Sequence, residues 1–142
     1  MSGDLQWLLL RNGNAFTVKR LPEGPILSRE PGNLTNIHSH KYSGLANEKA
    51  IAVTDSESGI KLTYRKKGAA PNAVRPALVT TTIRSRSGGR RAAGITAKLA
   101  KRGYRPDLRA AALARVSALL ASKKEKKAAP PKKARGKKAQ VA

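Results

Sequence analysis

The alternation of apolar and polar positions in the first half of the chain predicts short elements separated by turns. Apolar residues are nearly continuous over residues 4–10 and stop at an Asn-Gly pair, a pattern that fits a short helix or a strand, of which we favour the helix. Phe16 and Val18 alternate with polar neighbours, as expected of a half-buried strand. Residues 28–48 show no sustained period and are rich in Gly, Asn and Ser, which predicts a segment that is mostly loop.

The strongest strand signal is a hairpin over residues 51–64. Its two arms alternate apolar and polar residues on either side of a polar Ser-Glu-Ser-Gly turn, so one face is apolar and the other is cationic. Residues 78–84, with the sequence LVTTTIR, are rich in β-branched side chains and predict a further strand. Together these strands indicate a small antiparallel sheet.

Two helices are predicted after the sheet. Residues 85–91 (SRSGGRR) are expected to form a flexible basic connector, residues 92–102 a helix that Gly103 ends, and residues 107–122 a helix that Pro106 begins. Alanines line most of one side of the last helix. The other side is expected to pack on the sheet through Leu108, Ala112, Leu113, Val116, Leu119 and Leu120.

These elements predict an α+β fold, in which a small antiparallel sheet is combined with a short N-terminal helix and packed C-terminal helices, and a basic extended tail follows. Residues 1–122 are expected to form one small domain, balanced in acids and bases to about residue 60 and strongly basic after it. Residues 123–142 consist almost entirely of Lys, Ala and Pro, with Val141 as the one large apolar residue, so this tail is expected to be disordered in the free protein.

The net charge of +22 is concentrated in one part of the chain. Residues 1–60 hold six basic and six acidic residues, whereas the rest holds 24 of the 30 Lys and Arg residues against two acids, Asp107 and Glu125. Like charge at this density destabilises a compact state, and the phosphate backbone of a nucleic acid is the usual compensating surface. We therefore expect a polyanionic partner, and no internal salt-bridge partners for the basic segments.

Several function classes lack the residues they require. The chain has no Cys, which excludes disulfides, thiolate zinc sites and a Cys nucleophile. It has no nucleotide-binding or serine-hydrolase motif, and its acids form no close pair suited to acid–base chemistry, so we expect no enzymatic activity, no cofactor and no small-molecule substrate. The N-terminal apolar run lacks the flanking residues of a signal peptide, and no run is long enough to span a membrane.

The His38 and His40 pair has three interpretations. Both imidazoles could reach one metal ion, but no Cys and no nearby carboxylate pattern completes a coordination shell, so we predict no metal site. They are otherwise solvated loop residues, or they contact a phosphate together with Lys41.

Three basic clusters carry the predicted binding function. Glycines near them allow the backbone to approach phosphates, and arginine binds phosphate bidentately. No aromatic RNA-binding motif, phosphate-clamping Gly-x-x-Gly motif or zinc-finger spacing is present, so contact is expected mainly with backbone and shape. The predicted RNA-binding residues are Arg65, Lys66 and Lys67 in the first cluster, Arg84, Arg86, Arg90 and Arg91 in the second, Lys98, Lys101, Arg102 and Arg105 in the third, and Lys41 outside the clusters.

Three segments resemble the eukaryote-specific ribosomal large-subunit protein 28 family. These are SGDLQWLLLRN near the start, EPGNLTNIHSHKYSGLANEKAIAV in the middle, and YRPDLR leading into an Ala-rich helix, in the family's order and spacing. The resemblance implies a non-enzymatic structural constituent of the cytosolic large subunit, docked on ribosomal RNA beside other large-subunit proteins. It also implies a cytoplasmic ribosomal location, with transit through the nucleus and nucleolus for assembly.

Two other functions remain open from the sequence. A nucleolar ribosome-assembly factor could share the same domain, although such factors usually carry long acidic or coiled extensions that this chain lacks. A histone-like DNA-binding protein would explain the Lys/Ala/Pro-rich tail, but a linker-histone core is helical, whereas residues 15–84 predict strands and loops.

Overall fold

The computed structural model describes residues 2–19, 22–70, 72–101, 103–125 and 128. Most of the predicted basic tail therefore lies outside the described residues. Within them the elements, in chain order, are helix α1 (Gly3–Leu10), strands β1 (Thr17–Val18), β2 (Leu27–Ser28), β3 (Ile51–Ser56), β4 (Gly59–Arg65) and β5 (Leu78–Arg84), helix α2 (Gly89–Lys101), a 3-10 turn (Pro106–Leu108) and helix α3 (Arg109–Lys123). This arrangement confirms the predicted α+β fold.

The N-terminal apolar run forms a helix, as predicted. Ser2 caps it by accepting a hydrogen bond from the backbone N–H of Leu5 at 3.3 Å, and Asp4 lies in the first turn, near the positive end of the helix dipole. Trp7 packs against the imidazoles of His38 and His40, with ring centroids 4.9 and 5.6 Å away. The helix is thus attached to the long loop rather than to the main core.

That loop is ordered by a buried carboxylate. Glu30, 5% exposed, accepts hydrogen bonds from the side chains of Asn14 and Ser43 and from the backbone N–H of Gly44. A Cβ atom at Gly44 would clash with the carbonyl oxygen of Pro31, so only glycine allows the two loop segments to approach this closely. Because all three donors lie far from Glu30 in sequence, the loop holds one shape without regular secondary structure.

The predicted hairpin and the following strand form the main sheet. The strand order is β3-β4-β5, both pairs are antiparallel, and β1 and β2 form a separate two-stranded sheet. The register places Val53 opposite Leu62 and Leu62 opposite Thr81. Because side chains alternate between faces, one face of the sheet carries the apolar residues and the other carries threonines and cations.

Helices α2 and α3 cover the apolar face. The sheet contributes Ile51, Val53, Ile60, Leu62 and Ile83 to the buried core. The helical segments contribute Ala92, Leu108, Ala112 and Val116, and the chain between them contributes Tyr104. The Tyr104 hydroxyl donates to the carbonyl of Ala50 and accepts from the backbone N–H of Arg65, so it ties the chain between the helices to the sheet. Burial raises the pKa of this phenol.

The helix boundaries differ from the sequence prediction at two places. Helix α2 begins at Gly89, three residues before the predicted start, because the carbonyl of Gly88 accepts from the N–H groups of Arg91 and Ala92 and Ala92 is fully buried. The predicted last helix is divided into a 3-10 turn that begins at Pro106 and helix α3. The predicted end at Gly103 agrees with its φ of +68°, a conformation that favours glycine.

Candidate nucleic-acid interface

The second basic cluster forms an arginine cavity. Arg84 at the end of β5, Arg86 in the following turn and Arg91 in the first turn of α2 line an open cavity of about 590 Å³, together with Thr82, Ile83, Ser87, Gly88 and Ile95. All three arginines are exposed, and no acid lines the cavity. Guanidinium groups bind phosphate bidentately, so three arginines around one cavity suit a phosphate group.

Arg90 and Arg91 lie on a helix and not in a flexible connector, which corrects the sequence expectation. Both are exposed in the first turn of α2. Of the ion pairs found within the described part of the chain, none involves these two residues, Arg84 or Arg86. Uncompensated cations beside the positive end of a helix dipole make this the strongest candidate anion site in the described residues.

The first cluster lies where β4 ends. Arg65 is half-buried and donates to the carbonyl of Ala70 at 2.9 Å, whereas Lys66 and Lys67 are exposed. Lys66 and Lys67 also line a cavity of about 280 Å³ that contains Glu48. Because Glu48 lines this cavity, the cavity attracts phosphate less strongly than the arginine cavity does.

The third cluster is divided by the structure. Lys98 is exposed on α2, but the Lys101 side chain and all of Arg102 lie outside what the structure describes. Arg105 donates through Nε and Nη2 to the two carboxylate oxygens of Asp107, at 2.8 and 2.7 Å. The role of Arg105 as an RNA contact stays a prediction. Its guanidinium is already hydrogen-bonded within the domain, so it is less available to phosphate.

Arg105 also fixes the long loop to the end of the helical region. Its Nη1 and Nη2 atoms donate to the carbonyls of Lys49 and Lys41, at 3.0 and 2.9 Å. The Arg105 guanidinium holds the pKa of Asp107 below its usual value of 3.8, through the hydrogen bond first and charge attraction second. Lys41 itself is exposed, with its ammonium 5.5 Å from the ring centroid of Tyr42.

Two more cations bond internally. The Lys123–Asp55 and Arg105–Asp107 ion pairs contradict the expectation that the basic segments have no internal salt-bridge partners. Arg115 donates to the backbone carbonyls of Val53 and Leu34, at 2.9 and 3.0 Å. Lys123 donates to the carbonyl of Gly59 and pairs with Asp55, which lowers the pKa of that carboxyl. Most of the acceptors are backbone carbonyls. A count of charged residues along the sequence does not include these groups, so it could not predict the contacts.

The uncovered face of the main sheet was missed as a candidate surface. We call it the open sheet face; it consists of the side chains that alternate with the core residues on the three strands, namely Ala52, Thr54, Ser56, Lys61, Thr63, Arg65, Leu78, Thr80, Thr82 and Arg84. The alternation in LVTTTIR and the cationic side of the hairpin were the signals that could have identified it.

The two histidines have a structural role. Besides packing on Trp7, the Nε2 atom of His38 lies 2.9 Å from the carbonyl oxygen of Arg11, and His40 lies 3.8 Å from the Asp4 carboxylate. Within the described residues, no group of three or more His, Cys, Asp or Glu side chains could hold a metal ion. None of the helices in this part of the chain has the length and apolar character needed to cross a membrane.

Comparison with known proteins gives a consistent result. Residues 5–122 match the Ribosomal L28e protein family. The chain is 36% identical over 131 residues to the large ribosomal subunit protein eL28 of Schizosaccharomyces pombe, an alignment that covers 89% of this chain and 96% of that protein. It is also 36% identical over 130 residues to the protein of the same name in Dictyostelium discoideum, covering 87% of this chain and 93% of that protein.

Proposed function

The chain belongs to the ribosomal L28e protein family, and from this membership we propose that it is a structural constituent of the cytosolic large ribosomal subunit. The family is one of ribosomal proteins and not of enzymes. Relatives aligned over nearly their whole length carry the name of a large-subunit protein, and this is the observation that carries the proposal.

The protein binds ribosomal RNA through distributed Arg and Lys contacts to phosphates. The arginine cavity supports this, because it gathers three exposed cations and no acid at the start of α2. Lys66, Lys67 and Lys98 add exposed cations on the same basic part of the chain. Residues 1–122 act as the docking domain, and the tail from 123 to 142 adds non-specific attraction to the RNA.

Neighbouring large-subunit proteins are the second class of partner. Leu5, Leu8 and Leu9 are 47, 56 and 68% exposed on α1, whose only charged residue is Asp4. An apolar surface with a carboxylate repels phosphate and suits a basic protein neighbour. The protein works on cytoplasmic ribosomes and passes through the nucleus and nucleolus for assembly, for which its basic tail supplies import signals.

The alternative of a histone-like protein has little structural support. A linker-histone core is helical, whereas this domain is built on a three-stranded antiparallel sheet. A nucleolar assembly factor would use the same basic surfaces, and it is distinguished by the particle in which the protein resides.

The arginine cavity provides the direct test of the RNA contact. We expect the Arg84→Gln/Arg86→Gln/Arg91→Gln variant of the full chain to bind protein-free large-subunit RNA more weakly than the unmodified protein. Its log affinity should also fall less steeply with log salt, by about 2 to 3 units of slope, because three phosphate contacts are lost. Filter binding over a salt series measures both quantities.

A matched control removes the same charge elsewhere. Arg11, Lys19 and Arg29 are exposed cations of residues 1–60, the charge-balanced part of the chain. The triple Gln variant at these positions should keep most of the salt dependence. If the two triple variants weaken binding equally, net charge alone drives association and the cavity is not the site.

A further inference from the structure

We propose that the open sheet face binds the sugar–phosphate backbone of a double-stranded segment of ribosomal RNA. This inference rests on the proposed function and extends the RNA surface beyond the predicted basic clusters, to threonine hydroxyls and to Lys61.

The two faces of the sheet differ sharply in composition. On the helix-covered face, Ile51, Val53, Ile60 and Leu62 are at most 2% exposed. On the open sheet face, Thr54, Lys61, Thr80, Thr82 and Arg84 are exposed and Thr63 is half-buried. Helices α2 and α3 both contribute to the core on the first face, so neither of them covers the second. The hydroxyls and cations are therefore accessible to a partner.

The strand register arranges these groups in rows across the sheet. Thr54 pairs with Lys61 and Lys61 with Thr82, which gives a hydroxyl–ammonium–hydroxyl row. In the next row Thr63 pairs with Thr80, and their Oγ1 atoms lie 3.3 Å apart. A threonine hydroxyl can donate to a phosphate oxygen or accept from a ribose 2′-hydroxyl, so both rows suit an RNA backbone.

The charge of the face is also complementary to RNA. Within the three strands, all of which the structure describes, the single acid is Asp55, and it pairs with Lys123 from α3. The ten residues of the open sheet face therefore include no acid, although Glu30 and Glu48 from the long loop line cavities beside Thr54 and Arg65. Neither of these cavities includes Lys61 or Arg84. Exposed threonines are common on strands because they favour extended backbone, so the threonines alone do not indicate a binding surface. An ordinary soluble surface mixes charges of both signs, however, and the charged residues of this face are all cations.

The open sheet face is continuous with the arginine cavity. Thr82 and Arg84 belong to the face and also line the cavity with Arg86 and Arg91. One RNA segment can therefore cross the sheet and place a phosphate among the arginines.

The surface chemistry favours a duplex as the occupant. Single-stranded RNA is usually held by stacking its bases on aromatic side chains. The ten residues of the open sheet face include no aromatic residue. Double-stranded RNA instead presents 2′-hydroxyls and phosphates across a wide, shallow minor groove, which a hydroxyl-rich sheet surface can contact without reading sequence.

The test measures binding of the full chain to three probes under the same salt conditions. The probes are an RNA duplex of about 16 base pairs, a DNA duplex of the same sequence, and one RNA strand alone. We expect Thr80→Val/Thr82→Val to raise the Kd for the RNA duplex roughly tenfold, because two hydroxyl hydrogen bonds are lost. The Kd for the DNA duplex should change less, since it lacks the 2′-hydroxyl. Lys61→Gln should raise the Kd for both duplexes.

The matched control lies on the same strand. Thr81 is exposed on the helix-covered side of β5, and Thr81→Val should leave both duplex affinities unchanged. If the unmodified protein and the Thr80→Val/Thr82→Val variant bind the RNA duplex equally well, the sheet-face proposal is overturned. The proposed function is left intact by that result. Equal weakening of the single strand would overturn the assignment to a duplex. Failure of the unmodified protein to bind any RNA would instead count against the proposed function itself.

Discussion

At the scale of single residues, the described cations divide into two groups with different roles. Arg105 and Arg115 reach backbone carbonyls from distant segments and hold loops against the helices. Arg84, Arg86 and Arg91 are exposed around one cavity. The first group stabilises the fold and the second is available to phosphate, although the two groups cannot be distinguished by residue type.

The Arg105–Asp107 pair predicts a specific acid sensitivity. Because the native pKa of Asp107 is depressed below 3.8, the pair contributes stability above that pH. The contribution is lost as the pH falls through the depressed native value, since the unfolded state then binds the proton more readily. We expect Asp107→Asn to make the free energy of unfolding less dependent on pH below about 4, as measured by urea denaturation at a series of pH values.

Asp55 provides the comparison for this experiment. Its pKa is also lowered, through Lys123, so Asp55→Asn should retain the part of the acid sensitivity that depends on Asp107. Parallel pH profiles for the unmodified protein and Asp107→Asn would show that the Arg105 pair does not stabilise the domain.

The residues that order the loop could not be identified from the sequence. Glu30 looked like one of six acids in a charge-balanced segment, yet it is buried and accepts three hydrogen bonds. His38 and His40 suggested a metal or a phosphate, whereas they pack on Trp7. These roles depend on contacts between residues far apart in the chain, and local pattern carries no information about such contacts.

At the scale of elements, local pattern was more informative. The hairpin and β5 were predicted nearly to the residue, because alternation and β-branched content act within a single strand. The start of α2 was predicted too late, because the Gly-Gly pair suggested a flexible connector. The burial of Ala92 against the core outweighed that local preference.

Helix α3 and its preceding turn pack on the core through five of the six predicted residues. Leu108, Ala112 and Val116 are at most 3% exposed, and Leu119 and Leu120 are half-buried against the core. Leu113 is half-buried and lies outside the core cluster. We expect Leu108→Ala to lower the free energy of unfolding by about 2–4 kcal/mol, because it leaves a cavity in the core.

Leu113→Ala is the matched control for that measurement. The same side chain is removed from a half-buried position, so the loss in chemical denaturation should be clearly smaller. Equal losses for the two variants would mean that the helical region does not pack with the orientation described.

At the scale of the whole molecule, charge separates the surface proposed for a protein neighbour from the surfaces proposed for RNA. The charge-balanced part supplies α1, whose exposed leucines suit a protein neighbour. The basic part supplies the arginine cavity and most of the open sheet face, which suit RNA. A molecule built in this way can join RNA to protein inside a large assembly, and the net charge of +22 is then neutralised by phosphate.

The most direct test of this account is sedimentation of the tagged full chain from cell lysate on sucrose gradients, with and without magnesium chelation. We predict that the protein migrates with polysomes and moves to the large subunit when chelation separates the subunits. Absence from mature large subunits would contradict the account: residence in pre-ribosomal particles would indicate an assembly factor, and nuclease-sensitive retention on chromatin a histone-like protein.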